Sequence, residues 1–293
     1  MSEIRIGGQA VIEGVVMRSD SRIATAVRKP EGNIEVKVEE KPPLTKLYPF
    51  LGLPVVRGLA TLVETIAIGI DAINYSANVS LEEEKQKISK VEFGLTFAIS
   101  LALSIALFMA IPAAIFANLR PYVGSTILLN LIEGFIRIGI FLVFLMVVSR
   151  FPDMRRIFEY HGAEHKVVHA YEEMKSKGIE NIKDELTIEK AKKYPTAHPS
   201  CGTSFLLLVL IVSIVVFSFL GRPGFFMRIL LKLLTLPIVA GIAYEIIRIA
   251  RRPDSPKLIK ILVVPGLWLQ KFTTREPSPD QIEVAIKAIK EVI

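Results

Sequence analysis

The chain has 293 residues, is 51% hydrophobic and has a mean hydropathy of +0.46, too apolar for an ordinary soluble domain. A single cysteine excludes an internal disulfide framework. The net charge of +7 does not point to nucleic acid, because no platform of aromatic and basic residues accompanies it.

Residues 1–45 read as a small polar β-rich segment, and the polar start Met1-Ser2-Glu3-Ile4-Arg5 carries no secretory signal. Ile4-Arg5-Ile6 and Ile34-Glu35-Val36-Lys37-Val38 alternate apolar and polar, the period of a half-exposed strand. Pro30-Glu31-Gly32-Asn33 supplies turn chemistry for a hairpin between Ala24-Thr25-Ala26-Val27 and the second run. Gly7-Gly8-Gln9-Ala10-Val11-Ile12-Glu13-Gly14 sets three glycines around one carboxylate. Glycine lets another chain approach closely, so this is either a tight turn between strands or a loop presenting Glu13 to a site.

Residues 46–80 place Arg57, Glu64 and Asp71 seven apart on one face of a helix, which fits an interfacial or re-entrant helix. Leu81 to Lys90 is a charged connector. Four apolar spans follow, Phe93–Ala117 with Pro112 inside it, Ile127–Ser149, the short Ser204–Leu220 and Phe225–Ile249. The fold class expected is therefore mainly α, a polytopic α-helical membrane protein with about four transmembrane helices, interfacial helices and the small N-terminal β-rich segment. Domain-like divisions fall at 46–80, 91–149 with the first two spans, a polar 150–203 loop, 204–250 with the last two, and 251–293. In the last part, Leu258–Gln270 reads as an interfacial helix interrupted at Pro265-Gly266, and Pro279–Ile293 as an amphipathic one.

Lysine and arginine set the orientation. Residues 1–90 hold twelve, 150–203 hold ten and 248–293 hold nine, against one each near Arg120 and Arg222. The positive-inside rule then puts both termini and the 150–203 loop on the cytoplasmic side of the cell membrane.

All four histidines and the only cysteine fall in that loop. In Tyr160-His161-Gly162-Ala163-Glu164-His165-Lys166, His161 and His165 stand one helical turn apart and can ligate one ion. Glu164 flanks the same face, and His-x-x-Glu-His is the inverted form of the zinc-protease signature, in which the glutamate serves as base. His169 lies too far along the helix to share an ion with His161 and suits a partner of His165, an outer-shell group or a second site. His198-Pro199-Ser200-Cys201-Gly202 adds an imidazole and a thiol three apart, with Cys201 at the start of an apolar helix. The bland accounts are a solvated helix with a core-facing histidine and a packed thiol in a Pro-Gly turn. Clustering of all five residues favours a divalent transition metal held by His161, His165, His169, His198 and Cys201, zinc by default. Within the spans, Glu133 and Arg137 suit an internal ion pair. Glu245 stands at the histidine end of the fourth span, as a site residue or as partner of Arg248 or Arg57.

The strings Gly7 to Arg18, Tyr160 to Lys166, His198 to Phe205 and Thr274-Arg275-Glu276-Pro277 together resemble the bacterial YqhQ-like membrane family, of unknown function and described as a predicted metal-dependent enzyme. Ser200 departs from it, since arginine is more common there. The resemblance implies that Glu13, Arg18 and Glu276 join the site. It supplies no substrate.

Two readings stand. One is a metal-dependent membrane hydrolase at the cytoplasmic face, with Glu164, Glu245 and Glu13 as catalytic groups and a membrane-embedded, lipid-linked or peptide substrate. The other is a non-enzymatic scaffold, assembly or transport component with a structural metal; haem ligation is a third, lesser account. A homo-oligomer is compatible with either.

Overall fold

Glycine and the β-branched runs of the first forty residues build a four-stranded antiparallel sheet in sequential order, β1 Gly7–Val11, β2 Gly14–Arg18, β3 Arg22–Arg28 and β4 Ile34–Glu40. The computed structural model describes residues 6–80, 89–199, 201–250 and 255–293. Ile4 and Arg5 of the expected first strand, most of the 81–90 connector and Ser200 lie outside the described residues.

After the sheet come α1 Leu44–Leu47, a 3₁₀ turn at Pro49–Gly52, α2 Val56–Val79, α3 Lys90–Ile105, a π-helical turn Ala106–Ala110 and α4 Ile111–Leu119. The chain continues through α5 Thr126–Val148, α6 Pro152–Ser176, α7 Ile182–Glu185, α8 Ile188–Ala191, α9 Gly202–Ser218, α10 Phe225–Ala250, α11 Lys257–Thr273 and α12 Pro279–Lys290.

The expected hairpin forms, with Arg28 opposite Ile34 and Gly32 at a φ of 91°, a left-handed backbone that glycine accommodates. β4, whose Ile34–Val38 alternates, is half-exposed as expected, whereas the central strands β2 and β3 are buried at nearly every position between two covered faces. Val15, Met17, Ala24 and Ala26 pack on α6 and α12, through Tyr160, Val167, Ile282 and Ile289. Val16 and Ile23 turn the other way, onto Ile68 and Ala72 of α2. The sheet is thus the middle of three layers, and its job is to seat α6. The terminal helix is amphipathic as expected, its apolar face closing the same core.

The seven-residue charge spacing of α2 has a physical reason. Arg57 pairs with Glu245 of α10, Glu64 with Arg18 of β2 at 2.6 Å, and Asp71 with Lys37 of β4 at 3.1 Å. The charges tie one face of α2 to the sheet and to α10, while Val63, Ile66 and Ile73 stay exposed on the other. Where α2 meets α10, a Cβ on Gly241 would lie 2.7 Å from the carbonyl oxygen of Val55. Val55 itself is held at a φ of 68°, a costly conformation for a β-branched residue, and its N–H donates to Glu245 at 3.3 Å.

Among the described residues, three segments are long and apolar enough to cross a membrane: Val91–Leu119, Thr126–Val148 and Phe225–Ala250. The third span of the sequence reading is α9, apolar but only 17 residues, packed against α5 and α10. Pro112 is accommodated by the π turn before it and by a neighbour. The Phe108 carbonyl, four residues upstream, accepts a hydrogen bond from Arg137 Nε at 3.2 Å. α11 runs unbroken through Pro265-Gly266, contrary to the expected interruption. Gly266 is nevertheless needed: a Cβ there would lie 2.5 Å from Ser204, where α11 crosses α9. Trp268 and the exposed Leu258, Ile261 and Val264 give α11 the apolar outer face of an interfacial helix.

Glu133 is not simply paired with Arg137. Arg228 and Lys232 of α10 reach the same carboxylate, Arg137 lies 3.4 Å from it, and all four side chains are at most 6% exposed. Asn130 and Ser213 accept further hydrogen bonds from the two guanidinium groups. Arg228 also stacks on Phe116, 3.3 Å from the ring centroid.

Candidate metal centre

α6 starts with Pro152 at a position where its missing N–H costs nothing, and it runs for 25 residues without an interior glycine penalty except at Gly162. Gly162 is explained by what crosses it. A Cβ there would lie 2.0 Å from the Arg275 carbonyl oxygen, and the Arg275 N–H donates to Phe158 O at 2.9 Å. Residues 273–276 therefore lie directly across the helix. Gly162→Ala is expected to destabilise the protein by about 1–3 kcal/mol, although alanine favours an isolated helix by about 1 kcal/mol. Thermal or denaturant unfolding of the two proteins checks the sign.

That crossing segment orients the first histidine. His161 Nδ1 lies 2.7 Å from the Thr273 carbonyl oxygen. A carbonyl only accepts, so Nδ1 carries the proton and Nε2 the lone pair. Nε2 then faces Cys201 Sγ at 3.2 Å. The same arrangement recurs one turn on, where His165 Nδ1 donates to Thr196 O at 2.5 Å. Its Nε2 is fully buried and has no hydrogen-bond partner. The two imidazole centroids are 4.4 Å apart.

His161, His165 and Cys201 offer one ligand atom each within 4.8 Å of one another, and so do His169, Glu172 and His198. The five residues singled out from the sequence thus come together, but as two sets. Each histidine of the first set is braced by a backbone carbonyl behind it, the support that metal-binding imidazoles use to fix tautomer and direction. A buried nitrogen that makes no hydrogen bond, within 4.8 Å of a ligand atom of a thiol and of a second imidazole, fits a transition ion. A solvated helix would leave Nε2 in water, and a core histidine would be partnered.

Cys201 also caps α9, its Sγ accepting from the Thr203 N–H at 3.4 Å. Burial holds His165 and His169 below the usual histidine range, so both stay neutral, the form that ligates. Burial pushes the Glu164 carboxyl up, against the opposing pull of His161 and His198. Its Oε2 is 3.4 Å from His165 Nε2. Gly8 of β1 makes room for it, because a Cβ there would meet Glu164 Cγ at 2.8 Å.

The other expected members are dispersed. Glu13 sits in the two-residue turn between β1 and β2, at a φ of 51°, and accepts from Arg156 and from Tyr160 at 3.3 Å. The loop is the tight turn of the plainer reading, and it turns Glu13 toward Arg156 and Tyr160 of α6 and not toward the histidines. Arg18 joins Glu64 and not the histidines. Glu276 pairs with Lys166 at 2.9 Å. Glu245 is engaged by Arg57 and the Val55 N–H, with Arg248 at 3.9 Å.

Two residues escaped the sequence reading. Glu172 stands three after His169, a spacing that was available as a signal. Gln270, fully buried, binds the His198 backbone on both sides, accepting from its N–H at 2.7 Å and donating to its carbonyl at 2.8 Å. Nothing local announces that contact across 72 positions.

No solved structure matches this chain. It is 30% identical over 300 residues to the "Uncharacterized protein YqhQ" of Bacillus subtilis (strain 168), covering 98% of this chain and 92% of that protein. The family described as "Protein of unknown function (DUF1385)" matches residues 53–293, from the start of α2 past every metal-ligating candidate, and the chain belongs to that YqhQ-like family.

Proposed function

We propose that this protein is a metal-dependent membrane hydrolase whose site opens at the cytoplasmic face. The observation that carries the reading is the buried, unpartnered Nε2 of His165, set beside His161 Nε2 and Cys201 Sγ. These three atoms would hold a transition ion, zinc being the default for two imidazoles and a thiolate, and leave one tetrahedral position open. Bound there, the ion supplies Lewis acidity to water and to a substrate oxygen.

The chain's own residues do the rest. Glu164 takes the proton of the attacking water at its carboxylate, and its burial raises its basicity toward the working pH. Thr273 and Thr196 carbonyls hold the imidazoles in direction. α11, with Trp268 on its exposed face, keeps the site at the lipid surface, which favours a membrane-embedded, lipid-linked or peptide substrate. The concentration of lysine and arginine in the sheet, in the 150–203 loop and after α10 supports a cytoplasmic location for both termini.

One observation favours the structural alternative. The first set draws ligands from both ends of the loop, α6 and the foot of α9, as a staple would. Glu164→Gln separates the two readings. With zinc-loaded protein in lipid nanodiscs and a panel of phospholipid, lipid-phosphate and transmembrane-peptide substrates, this variant is expected to keep its metal and lose hydrolysis by roughly 10²–10⁴-fold. Wild-type turnover in the variant, or no turnover by wild type on any class, sinks the hydrolase.

The same substitution makes a stability prediction. A carboxyl whose folded pKa is raised costs stability above its unfolded pKa, ordinarily 4.5, and costs nothing below it. Glu164→Gln is therefore expected to raise the thermal midpoint of metal-free protein at pH 7. The gain shrinks as pH falls toward the unfolded value, and a pH series of melts checks it.

A further inference from the structure

His169, Glu172 and His198 lie outside the set just assigned, and their geometry is that of a second ligand set. His169 and Glu172 are three apart on α6 and so share a face. His198 arrives from the loop ahead of α9, its Nε2 3.2 Å from Glu172 Oε2 and its ring centroid 4.3 Å from that of His169. Backbone support is again present. His169 Nε2 donates to the Ala197 carbonyl at 2.9 Å, leaving Nδ1 with the lone pair. The peptide of His198 is gripped on both sides by the buried side chain of Gln270. A simple histidine–glutamate pair needs neither the second imidazole nor a buried amide bound to both sides of one peptide, although Gln270 Nε2 also donates to Ser204 Oγ at 3.3 Å.

The two sets are neighbours. His165 and His198 ring centroids are 5.7 Å apart, and no ligand belongs to both sets, so both can be filled at once. Their chemistry differs. The first has a thiolate and suits zinc; the second has a carboxylate and no sulfur, so it also admits Mn²⁺ or Fe²⁺. Glu172 is 51% exposed, so the second set opens to water and to a substrate oxygen, whereas Cys201 is buried.

We infer that the loop face of α6 carries two divalent transition-metal sites side by side, His161/His165/Cys201 and His169/Glu172/His198. This rests on the reading of α6 as a metal-binding helix and adds a second ion to it. Held by His161, His165 and Cys201 and by His169, Glu172 and His198, two such ions would supply Lewis acidity side by side.

The test is zinc stoichiometry of the full-length protein, stripped with chelator in detergent and titrated, with bound zinc read by elemental mass spectrometry. Wild type is expected to take two zinc ions per chain, Glu172→Gln one, Cys201→Ser one, and the double variant none. Offered Mn²⁺ alone after stripping, Cys201→Ser is expected to take it up and Glu172→Gln to take up little. A wild type that takes one ion, lost in Cys201→Ser and untouched in Glu172→Gln, overturns the second site and leaves the proposed function standing. Two ions in Glu172→Gln also overturn it, and no zinc in wild type overturns both. The half-exposed, isosteric Glu172→Gln change keeps the fold, which circular dichroism verifies.

Discussion

Glu133→Ala is expected to prevent accumulation of folded protein. Glu133 is the carboxylate on which Arg137, Arg228 and Lys232 converge, and it is 2% exposed between apolar helices. Removing one partner from a buried ion pair costs about 3–5 kcal/mol, because the remaining charge keeps its desolvation penalty. Here three cations lose their carboxylate together, against a typical total stability of about 5–15 kcal/mol. The same substitution at Glu245, where Arg57 is 22% exposed and can turn to water, is expected to cost much less. Membrane yield and thermal melts in detergent compare the two. Equal yield and midpoint for Glu133→Ala and wild type would mean that the cluster contributes little to folding.

His165→Ala is expected to abolish ion retention at the first set while sparing the fold. Loss of an outer-shell partner of a metal ligand already costs roughly 10–100-fold in affinity; loss of one ligand of three costs more. In wild type, zinc at about 1,000 times its Kd stabilises the folded state by about 4 kcal/mol through mass action. The part of that increment due to the first set is expected to vanish in His165→Ala, leaving only what zinc at the second set supplies. The metal-free variant is expected to lose less stability than an ordinary buried truncation, since it also removes a nitrogen that has no partner. Melts with and without zinc measure both quantities. A zinc-dependent rise of equal size in the variant would show that His165 is not a ligand.

Local patterns in the chain announced the hairpin at Pro30–Asn33, the apolar spans, the amphipathic ends and the histidine face of α6. Each depends on spacing within one element, which sequence displays directly. What spacing hides is the partner across the fold. Spacing within a span does not tie Arg228 and Lys232 to Glu133, which is about a hundred positions away on another helix. Glu172 stands beside Glu173 near the polar end of α6, where its spacing from His169 is a weak signal that His198, from another element, completes. Glu245 and Arg18 show the converse. Arg18, which the family resemblance brings to the site, is engaged by α2 instead, and of the roles open to Glu245 the pairing with Arg57 of α2 is the one that forms, so the charge spacing of α2 is a docking pattern. The glycines of Gly7–Gly14 signalled close approach correctly, with Glu164 against Gly8 and β3 against Gly14 as the approaching groups.

Cobalt substitution tests the central claim most directly, because Co²⁺ bound by a thiolate has a sulfur-to-metal charge-transfer band in the near ultraviolet. Metal-stripped wild type reconstituted with Co²⁺ is expected to show that band together with the intense visible bands of a tetrahedral site. Cys201→Ser is expected to lose the charge-transfer band, and His165→Ala the visible intensity. Wild-type protein that binds no Co²⁺ after stripping, or binds it without any band that depends on Cys201, would contradict a metal centre at His161, His165 and Cys201.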